Sequence, residues 1–274
     1  MAHIPSALKS ATTHPLVVSG ITKSFGDHKV LNSVSLQVPK GHIYGLIGLN
    51  GVGKTTLIKI ILSLLSPDAG QASLFDQDVS KIETRKSIAY LPEKFIPSVY
   101  LRGLEFLSLT LSYYGKKLNV EEARILAEDL DLDVAALSLP MTKYSKGMTQ
   151  KLGLIATLLT EAPLLILDEP MSGLDPKARI KLKDALVRYV KKGNTIFFTS
   201  HVLSDIDEIC KEIAVIHNGN IVFTGTPAGF KKTQREANLE RAFLKVVSGE
   251  TPKKTGATKK AKKAPKKRSA KRKR

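Results

Sequence analysis

At residues 48–55 the chain reads Gly48-Leu49-Asn50-Gly51-Val52-Gly53-Lys54-Thr55, and Thr56 follows directly. The stretch fits the pattern G-x-x-x-x-G-K-[ST], between an apolar run from His42 to Ile47 and a helical pattern of aliphatic residues. Strand, glycine-rich loop and helix in this order aim backbone N–H groups and the positive helix end at one anion. These residues therefore predict a phosphate-binding loop, with Lys54 reaching the terminal phosphates and the Thr55 hydroxyl ligating Mg²⁺. The alternative is a glycine-rich turn with a surface lysine.

A second apolar run ends in two acids, in Leu164-Leu165-Ile166-Leu167-Asp168-Glu169. Two acids after a strand, taken alone, are more often a helix cap or surface residues. Together with a phosphate loop they favour a catalytic pair, because the first acid holds Mg²⁺ and the second activates a water. We therefore assign Asp168 to the metal and Glu169 to the attacking water.

The remaining pattern alternates short strands with helices, which predicts an α/β layer. Alternating aliphatic residues near residues 16–21 and 34–38 indicate an antiparallel sheet, and Thr195 to Thr199 suits a buried parallel strand. Amphipathic helices are predicted over four stretches, Leu101 to Tyr114, Val120 to Leu130, Gly147 to Thr160 and Pro176 to Lys192. Asn218-Gly219 predicts a hairpin between Ile213 to His217 and Asn220 to Thr224.

The basic charge of the chain is concentrated at its C-terminal end. The 274 residues carry a net charge of +18, and Thr251 to Arg274 contains 13 Lys and Arg and no acid. This Lys/Ala/Pro-rich composition cannot bury enough apolar surface to order itself, so residues 248–274 are predicted to be a disordered tail and residues 1–15 a flexible N-terminus. Such a tail suits anionic lipid or sequence-indifferent nucleic-acid contact, or is a solvated appendage without a target.

The cysteine content and the hydropathy of the chain indicate its cellular compartment. A single cysteine, Cys210, cannot form an internal disulfide, and we read it as a buried thiol in a helical pattern with Ile206, Ile209 and Ile213. No run approaches the roughly 18 apolar residues of a membrane span, and the N-terminus has no apolar block of a signal peptide. We therefore expect a soluble, unexported protein.

The segment Tyr144-Ser145-Lys146-Gly147-Met148 opens an apolar helix about twenty residues before the acidic pair. Alone it would be a helix N-cap. Its placement resembles the signature motif of ABC ATPases, usually Leu-Ser-Gly-Gly-Gln, and other elements of that family follow in order. They are an aromatic residue for adenine (Phe25), the Q-loop position (Glu93), the D-loop (Ser172-Gly173-Leu174-Asp175-Pro176) and the switch histidine (Ser200-His201).

The resemblance covers about residues 16–226 and implies an ABC-type P-loop NTPase domain over residues 16–247. That fold has an antiparallel β subdomain and a helical subdomain, here about residues 94–160. By resemblance, ATP is sandwiched between the phosphate loop of one chain and Ser145 and Gly147 of a second. The family roles carry over as γ-phosphate sensing by His201, cross-dimer geometry for Asp175, adenine stacking by Phe25, and an oxygen from Glu93 for Mg²⁺ or water.

The sequence departs from the family pattern in two motifs, and these departures indicate which branch of the family it resembles. Glu93 replaces the usual glutamine, which adds a negative charge near phosphate, and Lys146 and Met148 replace a glycine and a glutamine. Such variants resemble the branch that serves exporters of drugs, polysaccharides or metal-maturation cargo. The segment Leu239-Glu240-Arg241-Ala242-Phe243-Leu244 is similar to a closing helix of that branch.

The resemblance implies an ATP-hydrolysing subunit that drives a separate transmembrane permease from the cytoplasmic face of the membrane, with ATP and Mg²⁺ as ligands. It places the permease contact near residues 93–114, and five apolar residues there are either this contact or core: Phe95, Ile96, Pro97, Val99 and Tyr100. One rival is a soluble ABC ATPase that acts on nucleic acid or ribosomes through the tail. Another is a regulator that binds ATP without hydrolysing it, against which the intact acidic pair speaks.

Overall fold

The structure, a computed structural model, describes residues 13–249. Its strands are β1 (Leu16–Phe25), β2 (His28–Val38), β3 (Ile43–Ile47), β4 (Ala69–Leu74), β5 (Gln77–Asp78), β6 (Ile88–Leu91), β7 (Leu164–Asp168), β8 (Thr195–Ser200), β9 (Glu212–His217) and β10 (Asn220–Gly225). Its α-helices are α1 (Lys54–Ile61), α2 (Gly103–Tyr113), α3 (Val120–Asp129), α4 (Lys146–Leu159), α5 (Pro176–Lys191), α6 (Leu203–Ile209), α7 (Pro227–Gln234) and α8 (Leu239–Ser248). Short 3₁₀ helices cover Ile82–Ser87, Val134–Ser138 and Met141–Lys143.

The larger sheet has the strand order β10-β9-β3-β8-β7-β6. Its strands pair in parallel except for the antiparallel hairpin of β9 and β10. Every residue of β3, β7 and β8 is buried, as expected for parallel strands covered on both faces. Because the carboxyl ends of β3, β7 and β8 meet at one edge, the phosphate loop and the acidic pair come together there.

Alternate residues of the larger sheet enter two separate hydrophobic clusters. Ile43, Leu165 and Phe198 face the cluster built with α2 to α8. Tyr44, Ile166 and Phe197 face the other cluster, which contains α1 and the first sheet. The central strands are therefore held from both sides, and this fixes the position of the loops at their ends.

The smaller sheet is antiparallel, as predicted, with the order β2-β1-β4-β5. Leu16 lies opposite both Val38 of β2 and Leu74 of β4. The predicted α/β fold with an antiparallel sheet and a group of helices between β6 and β7 is confirmed.

The structure decides between contact surface and core for part of the loop after β6. The side chains of Ile96, Val99 and Tyr100 are exposed, Ile96 by 84% and Tyr100 by 93%, so the core reading is wrong for these residues. Phe95 instead packs against Phe106, with ring centroids 5.4 Å apart.

Cys210 does not continue a helix. Helix α6 ends at Ile209, Cys210 has extended dihedral angles, and Ile213 belongs to β9. The apolar spacing extends across the helix end because both α6 and β9 face the same core. The thiol is buried, as predicted, and burial raises its pKa.

Both ends of the described chain are held by the domain. The carbonyl of Thr13 accepts a hydrogen bond from the Lys40 N–H, and α8 runs to Ser248, one residue into the predicted tail. Residues 1–12 and 250–274, which hold most of the predicted flexible N-terminus and tail, lie outside the described residues. Between residues 13 and 249, none of the helices has both the length and the apolar character that crossing a bilayer requires.

Candidate functional site

The glycine-rich loop joins the end of β3 to the start of α1, and its backbone fits only glycine at two positions. Gly53 has φ +108°, and a Cβ there would lie 2.8 Å from the Leu31 Cδ2 atom. A Cβ on Gly48 would lie 2.7 Å from the Ile216 Cγ2 atom. The loop therefore packs directly on β2 and β9. No side chain caps the first turn of α1, which leaves its N–H groups for an anion.

Lys54, the first residue of α1, is buried with its ammonium group folded over the loop. Its Nζ donates hydrogen bonds to the carbonyl oxygens of Gly48, at 2.8 Å, and Leu49, at 3.3 Å. The same atom lies 3.5 Å from the Oε1 atom of Glu169. The positive charge is thus fixed between the loop and the acidic pair.

Asp168, the last residue of β7, accepts hydrogen bonds on both carboxylate oxygens. The Thr55 hydroxyl donates to Oδ2 at 2.9 Å, and the Thr199 hydroxyl donates to Oδ1 at 2.6 Å. Thr199 also accepts a hydrogen bond from the Glu169 N–H at 3.0 Å. One hydroxyl at the end of β8 therefore orients both acids.

Glu169 lies between a base and a cation. Its backbone is left-handed, with φ +51°, and turns the carboxylate into the site. Oε2 accepts hydrogen bonds from the ring Nδ1 of His201, at 2.8 Å, and from its backbone N–H, at 3.2 Å. Oε1 is buried and has no hydrogen bond; the charge facing it is the Lys54 ammonium. Because Oε2 can only accept, the proton of this contact belongs to the imidazole Nδ1.

These groups line one cavity of about 370 Å³. Its lining is formed by Leu49, Asn50, Gly51, Gly53, Lys54, Thr55, Thr56, Glu93, Lys94, Asp168, Glu169 and His201. Burial and the nearby carboxylates of Asp168 and Glu93 raise the pKa of Tyr90 to about 12. The phosphate-loop lysine and threonines, Glu93, the acidic pair and His201, predicted from separate motifs, thus meet at one place.

The residues of the site fit a magnesium ion whose other ligands are phosphate oxygens and waters. Within residues 13–249 there is no group of three or more His, Cys, Asp or Glu side chains placed to hold a metal ion. Mg²⁺ in nucleotide enzymes uses one or two protein oxygens, phosphate oxygens and waters, so Thr55 and Asp168 suffice as protein ligands. The buried, unpartnered Oε1 of Glu169 leaves an acceptor for a water beside them.

Four predicted contacts from outside the glycine-rich loop do not line this cavity. Ser145 caps the N-terminus of α4, accepting a hydrogen bond from the Met148 N–H, and Gly147 lies in the first turn of that helix. Asp175 caps α5 and accepts from the Ala178 N–H. Phe25 ends β1 and is 52% exposed, and the Lys23 ammonium lies 5.8 Å from its ring centroid. Within one chain, none of the four lines the phosphate cavity.

Sequence reasoning missed two residues of the site. Thr199 was assigned only to a buried strand, although a hydroxyl at the carboxyl end of a parallel strand next to β7 is a signal for a site residue. Lys94 lines the cavity beside Glu93 and places a positive charge next to the glutamate that replaces glutamine. No motif marks Lys94, since its position follows from the turn after β6.

A family model described as ABC transporter matches residues 31–172. An uncharacterised ABC transporter ATP-binding protein of Nostoc sp. is 38% identical over 72% of this chain and 59% of its own length. The bacitracin transport ATP-binding protein of Enterococcus faecalis is 39% identical over 74% of this chain and 66% of its own. The chain thus spans less than two thirds of either relative. The lantibiotic transport ATP-binding protein of Streptococcus pyogenes is 31% identical over 83% of this chain and 95% of its own length.

Solved structures agree in fold. The structure of an ATP-binding subunit of an ABC transporter matches with a TM-score of 0.77 at 31% identity, over 84% of this chain and 98% of that one. A dimeric bacterial ABC transporter cassette matches with a TM-score of 0.70 over 77% of this chain and 98% of that one, at 20% identity, which shows the fold alone.

Proposed function

The chain belongs to the ABC transporter family of ATP-binding proteins, and we propose that it is an ATP-hydrolysing motor subunit that drives a separate transmembrane permease. One observation carries the hydrolytic part of the proposal. The Glu169 carboxylate is held between the His201 imidazole and the Lys54 ammonium, next to an aspartate already bonded to the phosphate-loop threonine. This arrangement provides a base for water beside donors for phosphate.

Binding uses the loop and the first turn of α1. The N–H groups of residues 48–56 and the Lys54 ammonium take the phosphates of ATP, and the Phe25 ring stacks on adenine. On binding, Lys54 exchanges its contacts with the Gly48 and Leu49 carbonyls for phosphate oxygens. Thr55 and Asp168 would hold Mg²⁺, which would neutralise charge on the phosphates. Glu93 would contribute an oxygen to this metal or to its water.

Hydrolysis uses the acidic pair and the histidine. Glu169 orients a water and accepts its proton, and His201 donates its Nδ1–H to the same carboxylate, which keeps the acceptor in place. Thr199 fixes the relation between the two acids through its bonds to Asp168 and to the Glu169 N–H. When the γ-phosphate leaves, His201 and Lys54 lose the phosphate group that both of them contact.

A second copy completes the site. Ser145 and Gly147 at the N-terminus of α4 and Asp175 at the N-terminus of α5 do not line the phosphate cavity of their own chain. We infer that they face the γ-phosphate of a partner chain, a second nucleotide-binding subunit of the same or similar sequence. The Ser145 hydroxyl and the helix N-terminus offer donors for that phosphate.

The permease contact is assigned to the exposed apolar loop after β6. Ile96, Val99 and Tyr100 are exposed, and this loop lines a groove of about 500 Å³ that extends to Tyr144 and Lys146. Exposed apolar residues next to Glu93 suit a protein contact that senses the nucleotide site. The relatives named for bacitracin and lantibiotic transport support an exporter, working at the cytoplasmic face of the membrane.

Co-purification tests the proposal. The full chain, affinity-tagged at its N-terminus, is isolated from detergent-solubilised cells and its partners are identified by mass spectrometry. A stoichiometric multi-span membrane protein, with ATP hydrolysis in the isolated complex, is the expected result. Recovery of ribosomes or nucleic acid without a membrane protein would instead support the soluble ATPase.

A further inference from the structure

One face of α4 lies along the segment that leads away from the acidic pair. Gln150 Nε2 donates to the Pro170 carbonyl at 3.3 Å, and a Cβ on Gly147 would lie 3.5 Å from the Gly173 carbonyl oxygen. The spacing i, i+3, i+4 continues with Lys151. Residues 170–175 are therefore in contact with the helix that Ser145 caps.

Among these three residues of α4, only Lys151 contributes a charged contact. Only 8% of the residue is exposed, and its Nζ donates to the Asp131 carbonyl oxygen at 2.6 Å. The same ammonium lies 3.7 Å from Asp131 Oδ2 and 3.8 Å from Asp175 Oδ2. Lys151 thus joins three segments: α4, the turn after α3, and the N-cap of α5.

Asp131 is itself fixed from the side of α5. Its backbone is left-handed, with φ +58°, and its carboxylate accepts from Lys177 Nζ at 2.7 Å, with Lys181 Nζ at 3.7 Å. A nearly buried ammonium is costly unless its partners are in place, so the site has to hold both aspartates at fixed positions around it. The hydrogen bond from the Ala178 N–H, and then the Lys151 charge, lower the pKa of Asp175 and keep it ionised.

We propose that Lys151 is a positioning residue that holds the segment from Pro170 to Asp175 against α4. The proposal rests on the function proposed above. In that function Glu169 acts on water in its own site, while Ser145 and Asp175 act on the partner's site. Lys151 makes these groups move as one body, so that closure on the partner's nucleotide and placement of the water occur together.

The test compares three variants of the full-length chain. Lys151→Met removes the charge at similar length, and Lys151→Arg restores it. Lys183→Met is the matched control, because Lys183 is equally buried but its ion-pair partners are Asp205 and Glu208 of α6. Hydrogen exchange gives the amide exchange rates of residues 145–151 and 170–178. Binding of a fluorescent ATP analogue gives the nucleotide affinity of the single chain.

For Lys151→Met we expect amide exchange about tenfold faster in both segments, and ATP affinity within about threefold of the parent. In a Glu169→Gln background, ATP-dependent dimerisation should weaken by about tenfold or more. Lys151→Arg should return both properties towards the parent, and Lys183→Met should change neither. If Lys151→Met does not fold, Asp175→Asn, which keeps the helix cap, should also speed exchange in residues 145–151.

Unchanged exchange in both segments would overturn the positioning role. Faster exchange with unchanged dimerisation would overturn the claim that the contact serves closure. If the Glu169→Gln chain itself does not dimerise with ATP, the proposed two-chain site fails, while the exchange measurement still decides whether Lys151 holds the segment.

Discussion

The Nδ1 atom of His201 lies 2.8 Å from the Oε2 atom of Glu169. The contact spans two strand ends, since Glu169 follows β7 and His201 follows β8. It leaves the other carboxylate oxygen free of hydrogen bonds and facing Lys54. Binding of a phosphate that attracts the Lys54 ammonium would therefore free this oxygen to act on a water while His201 still holds the carboxylate, which couples nucleotide binding to formation of the base.

Replacing Glu169 by Gln should stop turnover while keeping ATP binding. The amide preserves the size of the side chain but cannot take a proton, and a positioned base contributes about 10²- to 10⁴-fold. Phosphate release should fall by that factor, and size-exclusion chromatography with ATP should show a stable dimer. Turnover at the parent rate would remove Glu169 from the proposed mechanism.

Replacing Thr199 by Val should separate positioning from binding. The variant loses the hydrogen bonds to Asp168 and to the Glu169 N–H, so the free energy of unfolding should fall by about 1–3 kcal/mol. Turnover should fall at least tenfold, which corresponds to a rise of at least about 1.4 kcal/mol in the activation barrier, with ATP affinity little changed. Thr195→Val is the control, because its hydroxyl accepts only from the Gly41 N–H at the other end of the strand. Equal turnover in the two variants would contradict the role of Thr199.

The sequence predicted elements best where one interaction dominates. The glycines of residues 48–53 and the apolar strand before Asp168 are dictated by local backbone and burial, and both were placed correctly. Strands β4 and β6 were missed, since Ala69–Leu74 is half exposed and Ile88–Leu91 too short to show a period. The bond from Thr199 to Asp168 joins residues 31 apart in sequence, so it depends on strand order, which a local pattern does not contain.

Replacing Val99 by Asp should uncouple transport from hydrolysis. Val99 is half exposed in the proposed permease contact, and a carboxylate there would oppose burial against an apolar partner. Transport in cells should fall about tenfold, while basal hydrolysis by the isolated subunit should be unchanged. Leu64→Asp, at an exposed apolar position outside that groove, is the control. Full transport by the Val99→Asp variant would argue that the permease binds elsewhere.

Deleting Thr251 to Arg274 tests the predicted tail contacts. The deletion removes 13 positive charges, so binding to anionic vesicles or to RNA should weaken and lose its salt dependence. Vesicle flotation with anionic or neutral lipid, and filter binding with RNA, measure the two partners separately at several salt concentrations. A tail without a target would leave both measurements unchanged.

Replacing Phe25 by Ala tests the predicted adenine contact. The ring is half exposed at the end of β1, where Asp68 fixes the strand end by accepting from Lys23 Nζ and the Ser24 N–H. Stacking of a base on an aromatic ring is worth about 1–3 kcal/mol, so the Kd for ATP should rise about 5- to 150-fold. Phe25→Tyr should keep the parent affinity, and Tyr113→Ala, at another exposed aromatic, should change nothing. Because stacking is tolerant of base identity, GTP affinity should fall by a similar factor, and a loss confined to ATP would point to a base-specific contact instead.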